Sequence, residues 1–237
     1  MINSPVPNSS ETASNPSNAA AKPPRPVFET VFAFPPNREI AGGTAYLILE
    51  EGGNMLVDCP TWDAATRSFL QAQGGVRWLF LTHRGAIGQV RSIQQETGCE
   101  VLIQEQEAYL LPQMDITTFQ QEFRLSSSSL AIWTPGHSPG SACLYHDRFG
   151  GILFTGRHLL PNQQGNPVPL RIAKTFHWPR QLRSIAALRD RFTPETLQFL
   201  CPGANTGFLR GQRSIERAFD RISQLDLEAM RLEKPGL

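Results

Sequence analysis

The sequence predicts an α/β protein built from two αβ layers packed sheet to sheet. Three observations predict it. Short apolar runs alternate with amphipathic stretches from Val27 onward, and the alternation occurs twice, with a different rhythm in each half. A chain of 237 residues also suits one sizeable domain, because a single core saturates at roughly 250 to 300 residues. Strands and helices interleaved in this way bury their apolar faces by stacking helix on sheet and sheet on sheet.

In the first half, "TAYLILE" (44–50) and "NMLVDCP" (54–60) read as two strands of a hairpin across Gly52-Gly53, a dipeptide suited to the positive φ of a tight turn. "AATRSFLQAQG" follows as a helix ended by Gly74, and "VRWLFLT" (76–82) as a buried strand with a nearly continuous apolar centre. Ile87, Val90 and Ile93, with Thr97, stand at helical spacing up to Gly98, and "CEVLIQ" (99–104) is again a strand.

In the second half, "LAIWTPG" (130–136), "SACLYHD" (141–147) and "GILFTGR" (151–157) read as three strands, the last two joined by a hairpin around Arg148-Phe149-Gly150. A helix from Pro179 to Phe192 has proline in its first turn and Leu182, Ile185, Ala186 and Leu188 on one side. "TLQFLCPG" (196–203) is a last strand, and residues 214–233 read as one charged, amphipathic terminal helix.

Composition bounds the partners. The net charge of +1 and a hydrophobic content of 40% show no excess of either sign that would point to nucleic acid or a membrane surface. No apolar run approaches the ~20 residues of a spanning helix. Cys59, Cys99, Cys143 and Cys201 are scattered without a CxxC pair, which indicates neither a zinc cluster nor a disulfide framework and fits reduced thiols in a cytoplasmic compartment. Residues 1–26 are Ser, Asn, Ala and Pro with almost no large apolar side chain, so they are expected to form a disordered tail ahead of a single domain over 27–237. That tail lacks the apolar stretch of a signal peptide, and its only basic residues, Lys22 and Arg25, stand at its far end.

"LTHRGAIG", "TPGHSPGS", "LFTGRHL" and "LCPGANTG" occur in the order and at roughly the intervals of the T-H-x-H-x-D-H, T-P-G-H-T-x-G-S, L-F-x-G-D and P-G-H-G motifs of the metallo-β-lactamase superfamily, which the chain resembles over residues 28–235. "LILEEGGNMLVDCP" also resembles the early hairpin of that superfamily, and "FHWPRQLRSIAALRDRF" is most similar to a branch of small hydrolase-like proteins from cyanobacteria and plants. The resemblance implies a four-layer αββα sandwich with one or two metal ions held by loops along one edge of the sheets, where the metal turns bound water into hydroxide.

Carried over residue by residue, the first histidine of T-H-x-H-x-D-H falls on His83 and that of T-P-G-H on His137. The other ligand positions are lost. The second histidine falls on Gly85, the aspartate on Ile87, the third histidine on Gly88, the metal-bridging aspartate of G-D on Arg157 and the last histidine on Ala204. Two imidazoles bind zinc weakly, since stable sites use three or four protein ligands, and Arg157 places a permanent cation where a metal belongs. No cofactor is therefore expected; a weakly held single zinc or iron is the most this set allows. His158 is a nearby spare ligand that reads more simply as a surface residue or a support for the loops, Asp58 reads as an acceptor for loop amides, and Cys201 as a small core residue.

The expected result is a polar, locally positive cleft, emptied at Gly85 and Gly88, in which Arg157, His83, His137, Arg84 and His158 bind a small anionic ligand or a protein partner. Two other classes remain open. The first is a thioester, ester or phosphodiester hydrolase that uses His83 or His137 as a general base, without metal or with a single ion; the second is a protein-interaction scaffold acting through its terminal helix or its Pro-rich tail. A Ser-His nucleophile pair among Ser138, Ser141 or Cys143 and His137 is disfavoured, because alternate residues of a strand face opposite sides. Trp178 is expected to pack on the sheet.

Overall fold

In the computed structural model, residues 22–235 are described. One sheet runs in sequence order through β1 (Arg25–Phe28), β2 (Val31–Ala33), β3 (Tyr46–Ile48), β4 (Met55–Val57), β5 (Trp78–Phe80), β6 (Glu100–Gln104) and β7 (Ile116–Phe119). Its first four strands are antiparallel and the rest parallel. The second contains β8 (Glu122–Arg124), β9 (Ser129–Trp133), β10 (Ala142–His146) and β11 (Ile152–Gly156). Beyond a small ribbon of β12 (Leu160–Pro161) and β13 (Pro167–Val168), it is completed by β14 (Phe199–Pro202) and β15 (Ile215–Glu216), in the order β15-β14-β11-β10-β9-β8. The hairpins expected at Gly52-Gly53 and at 148–150 form, with Tyr46 opposite Val57 and Leu144 opposite Phe154.

The two-residue period of each strand sorts its side chains into layers. In β5, Trp78 and Phe80 point between the sheets, whereas Leu79 points outward; in β10, Leu144 points inward and Cys143 outward. The inward set, including Tyr46, Leu102, Ala131, Ile152 and Phe154, makes the inter-sheet core. The outward set of the first sheet packs on α1 (Ala64–Ala72) and α2 (Val90–Thr97), through Leu70, Val90 and Ile93. That of the second packs on α3 (Trp178–Arg191), α4 (Ala218–Ser223) and α5 (Leu227–Arg231), with Leu182, Ile185, Leu188 and Ile222 buried. The result is the αββα sandwich. α2 ends as its sequence predicts, on Gly98 at φ +69 with its N–H on the Gln94 carbonyl, and α3 carries proline in its first turn.

Two boundaries differ from expectation. Residues 214–233 are not one helix. Ile215 instead pairs with Leu200 at the edge of the second sheet, Arg217 turns through a left-handed φ of 50°, and Asp226 starts a separate helix by accepting the Ala229 amide. Burial of Ile215 in a strand outweighs the helical period of the segment. At the other end, Arg25 and Pro26, expected in the disordered tail, already pair with Ala33 and Phe32; the tail before residue 22 lies outside the described residues. Among the described residues no helix is long and apolar enough to cross a membrane.

Tyr46 joins the two sheets: its ring meets Phe154 edge-on with centroids 5.2 Å apart, and its hydroxyl donates to the buried Pro202 carbonyl at 2.8 Å. Tyr46→Phe keeps the packing and strands that carbonyl. It is expected to lower the unfolding free energy by roughly 1 to 3 kcal/mol, seen as a lower urea midpoint with an unchanged slope.

Candidate functional site

β4, β5, β11 and β14 end on one edge of the sandwich, and the turns that follow them carry Asp58, Thr82-His83, Arg157-His158 and Gly203-Ala204. The two sheets are stitched together there: Ala142 donates its amide to the Thr82 carbonyl and Thr44 donates to that of Gly203, both at 2.8 Å. The approach is so close that a Cβ on Gly156, itself at φ +51, would lie 2.3 Å from Thr82 Oγ1. Only glycine serves at that position.

Asp58 is buried and sits at φ +62, an unfavourable region for a non-glycine residue. Its carboxylate holds the next turn, accepting the Thr82 amide at Oδ1 and the Thr82 hydroxyl at Oδ2, each at 2.8 Å. With its one hydrogen donated in the bond to Asp58, the hydroxyl accepts from His83 Nδ1 at 2.9 Å. His83 therefore carries its proton on Nδ1, and Nε2 presents a lone pair that has no partner among the described residues.

The other histidines converge on the same edge. The rings of His83 and half-buried His137 stand edge to face with centroids 5.1 Å apart. His158 is buried rather than on the surface, and neither of its ring nitrogens has a partner among the described residues. Burial pushes its pKa down to about 3, with His137 as a second cause. It pushes that of His137 to about 4, helped by Arg157 and Arg84, and holds His83 well below the usual imidazole value. At neutral pH all three rings are uncharged, so the positive charge of the edge comes from arginines. Arg157 is part-buried and its Nη2 donates to the carbonyls of Ile40 (3.2 Å) and Ala41 (2.8 Å). Arg84 is exposed on the turn after His83. Burial raises the Asp58 pKa to about 7, against the pull of the Thr82 hydrogen bonds and of Arg157.

Gly85 and Gly88 are both exposed, and each has close neighbours on its protein side. A Cβ on Gly85 would stand 3.0 Å from His83 Nε2, because the His83 ring lies over that position. One on Gly88 would meet Cys59 Cβ at 3.0 Å and Ile40 Cγ2 at 3.2 Å, with the backbone at φ +42. Ala204 is buried.

Residues beyond the motifs hold the loops. Glu107 is buried and accepts the Gly140 amide at 3.1 Å; Gln181 donates to the His158 carbonyl at 2.9 Å; Ser184 donates to the Pro135 carbonyl at 2.8 Å. These residues come from elements distant in sequence from the motifs they support, so no local pattern announces them. The Ser138 and Ser141 hydroxyls bond each other at 2.9 Å and Cys143 Sγ lies against Thr134 Oγ1, so none of the three is paired with His137. Trp178 packs beneath the second sheet and donates to the Met230 carbonyl, and Cys201 is a buried core residue.

A resident transition metal needs three or more converging donors. The unpartnered nitrogens of His83 and His158 are of the right type. Among the described residues, however, no group of three His, Cys, Asp or Glu side chains is placed to hold an ion, and Arg157 adds a cation. These residues do not fit a bound metal.

An αββα sandwich with histidine-bearing turns on one strand edge is the metallo-β-lactamase fold, and solved structures bear this out. The chain is similar to an archaeal metallo-β-lactamase superfamily protein from Sulfolobus tokodaii, at 16% identity and a TM-score of 0.59 over 86% of this chain and 87% of that one. It is similar to a metallo-β-lactamase family protein from Thermus thermophilus, at 19% identity and a TM-score of 0.61 over 87% and 81%. It is also similar to the protein TTHA1623 in a di-iron-bound form, at 17% identity and a TM-score of 0.62 over 80% and 96%. No protein-family model and no curated protein sequence matches the chain. At these identities the likeness shows the fold.

The buried imidazoles make stability depend on pH. Unfolding restores each histidine to an ordinary value of 6.5, so between about pH 6.5 and 4 the unfolded chain binds protons that folded His83, His137 and His158 do not. Asp58 opposes them, because between its ordinary 3.8 and about 7 the folded state holds the extra proton. Buried His146, whose pKa burial also lowers, joins them; four against one leaves the unfolded state ahead, and stability falls as the pH drops below 6.5. Urea unfolding at pH 7.0 and pH 5.0 is expected to show this loss, and His158→Phe to flatten it; equal midpoints would show that the imidazoles are not held neutral.

Proposed function

We propose that this protein is a non-catalytic metallo-β-lactamase-fold protein whose histidine edge binds a small anion, a carboxylate or a phosphate ester. One observation carries the reading: Arg157, at the position of a metal-bridging carboxylate in the family motif, is anchored by Nη2 alone, which leaves Nη1 and Nε without partners among the described residues. A guanidinium held in this way is pre-oriented for bidentate recognition of a planar or tetrahedral oxyanion. Arg84 adds a second cation. The neutral imidazole of His137 contributes a hydrogen-bond donor without the cost of a buried charge.

A hydrolytic reading rests on His83, whose Nε2 lone pair is presented by the Asp58-Thr82 relay in the manner of a general base. Its depressed pKa makes it a weak one at neutral pH. Turnover of a thioester or phosphodiester panel that vanishes in His83→Gln would establish this alternative.

Phosphate and citrate are expected to raise the melting temperature of the tag-free protein. A ligand at a hundred times its Kd adds about 2.7 kcal/mol, and Arg157→Gln should abolish the effect. Elemental analysis of the same sample is the decisive companion, because a stoichiometric transition metal would overturn the proposal whatever the anions do.

A further inference from the structure

At the opposite end of the strands, a cavity of about 610 Å³ opens between the two sheets. His146, the last residue of β10, and Trp78, the first of β5, line it. The strand period points both into the inter-sheet space, since their neighbours Leu144 and Phe80 are core residues of that layer. His146 is 1% exposed and Trp78 6%, and each keeps a ring nitrogen, Nε2 and Nε1, without a partner among the described residues. A buried polar group left in that state costs roughly 1 to 3 kcal/mol, a cost that a ligand would offset.

The chemistry of the two nitrogens is complementary. The Ser129 hydroxyl donates to Glu50 Oε1 at 2.7 Å, and His146 Nδ1 stands 3.0 Å from Ser129 Oγ and 3.2 Å from the same Glu50 oxygen. Nδ1 therefore bears the proton, and burial favours the neutral ring over the pull of Glu50. Nε2 is then an acceptor, whereas Trp78 Nε1 is a donor only. Charge along the lining is balanced between two arginines, Arg77 and Arg148, and two glutamates, Glu50 and Glu51. The rim carries the exposed ring of Phe149, held at φ +59 and stacked on Phe28 with centroids 5.0 Å apart.

We infer that this inter-sheet cavity is a binding site for a small neutral polyol of the sugar kind. Hydroxyl groups both donate and accept, and so match an isolated acceptor and an isolated donor at once. Balanced charge favours a neutral ligand over an ion, and an exposed aromatic face accepts the C–H side of a sugar ring. The site is separate from the histidine edge and does not depend on how that edge is used.

Titration of the full chain with D-glucose, D-galactose and D-ribose, followed by the ¹⁵N resonance of His146 Nε2, tests the proposal. At least one sugar is expected to shift that resonance saturably. Trp78→Phe, which removes the donor and keeps an aromatic ring, should weaken binding about tenfold; should it not fold, Glu50→Gln, which removes the carboxylate that holds the proton on His146 Nδ1, is expected to do the same. Arg157→Gln should leave it unchanged, which separates this site from the anion site. The inference is overturned if none of the three sugars moves the resonance, if inorganic phosphate or D-glucose 6-phosphate binds there and the neutral sugars do not, or if binding survives the variants unaltered.

Discussion

The carboxylate of Asp58 takes the amide and the hydroxyl of Thr82, and Thr82 in turn accepts from His83. This relay joins the end of β4 to the end of β5, and the rest of the edge is arranged around it. It holds Asp58 at a positive φ, a strain of order 1 to 3 kcal/mol that persists only where surrounding bonds over-determine it. It sets the His83 tautomer and lays the ring over residue 85, which is why a side chain there meets Nε2 at 3.0 Å. Thr82 also sets the distance to the second sheet, through its carbonyl on Ala142 and through Gly156, whose missing Cβ lets the two strand ends touch. One polar chain of three side chains thus couples sheet register, loop shape and imidazole orientation.

Much of this was legible locally. The hairpin glycines, the apolar strands and the Gly98 helix end follow from properties of a few consecutive residues, and the structure repeats them within three residues. Signals that depend on distant partners were not. β7, β8 and the pair β1 and β2 are short and half-exposed, so they lack a full alternation of their own and exist because a neighbouring strand supplies hydrogen bonds. Ile215 departs from its helical period for the same reason. At the site, the motif positions of His83, His137 and Arg157 do meet on one edge, but the filling of the Gly88 position by Ile40 and Cys59 comes from segments 48 and 29 residues earlier in the numbering. Motif comparison reports which ligand is missing; only the folded chain reports which side chains stand beside its position.

The distribution of charge at the edge follows from burial. An imidazolium needs solvation or an anion, and the carboxylate tied to the His83 turn, Asp58, is already engaged by Thr82 and pushed toward protonation. The rings therefore stay neutral, and the standing positive charge is the arginine, whose guanidinium is less strongly hydrated than an ammonium and tolerates partial burial. Its contacts with the Ile40 and Ala41 carbonyls fasten the 38–41 turn across the edge. In the family motif that position bears a carboxylate that binds cations. A fixed cation there is the reason the anion reading is proposed for this edge.

The two ends of the sandwich contrast in how their polar groups are used. At the histidine edge the strands run out into turns held by Asp58, Glu107, Gln181 and Ser184, while His83 Nε2 and both ring nitrogens of His158 keep no partner among the described residues. At the other end the chain connects by short hairpins around 51–54 and 148–150, too short to fold back over the gap between the sheets. A sandwich whose strands end in short turns on one side can cap its core only with side chains, and here these are His146, Trp78 and the Ser129-Glu50 pair. Polar side chains are drawn to such a place because the next layer outward is water. Closing the gap with them leaves hydrogen-bonding capacity facing inward, so the same economy of loop length that keeps this end compact also leaves it chemically incomplete.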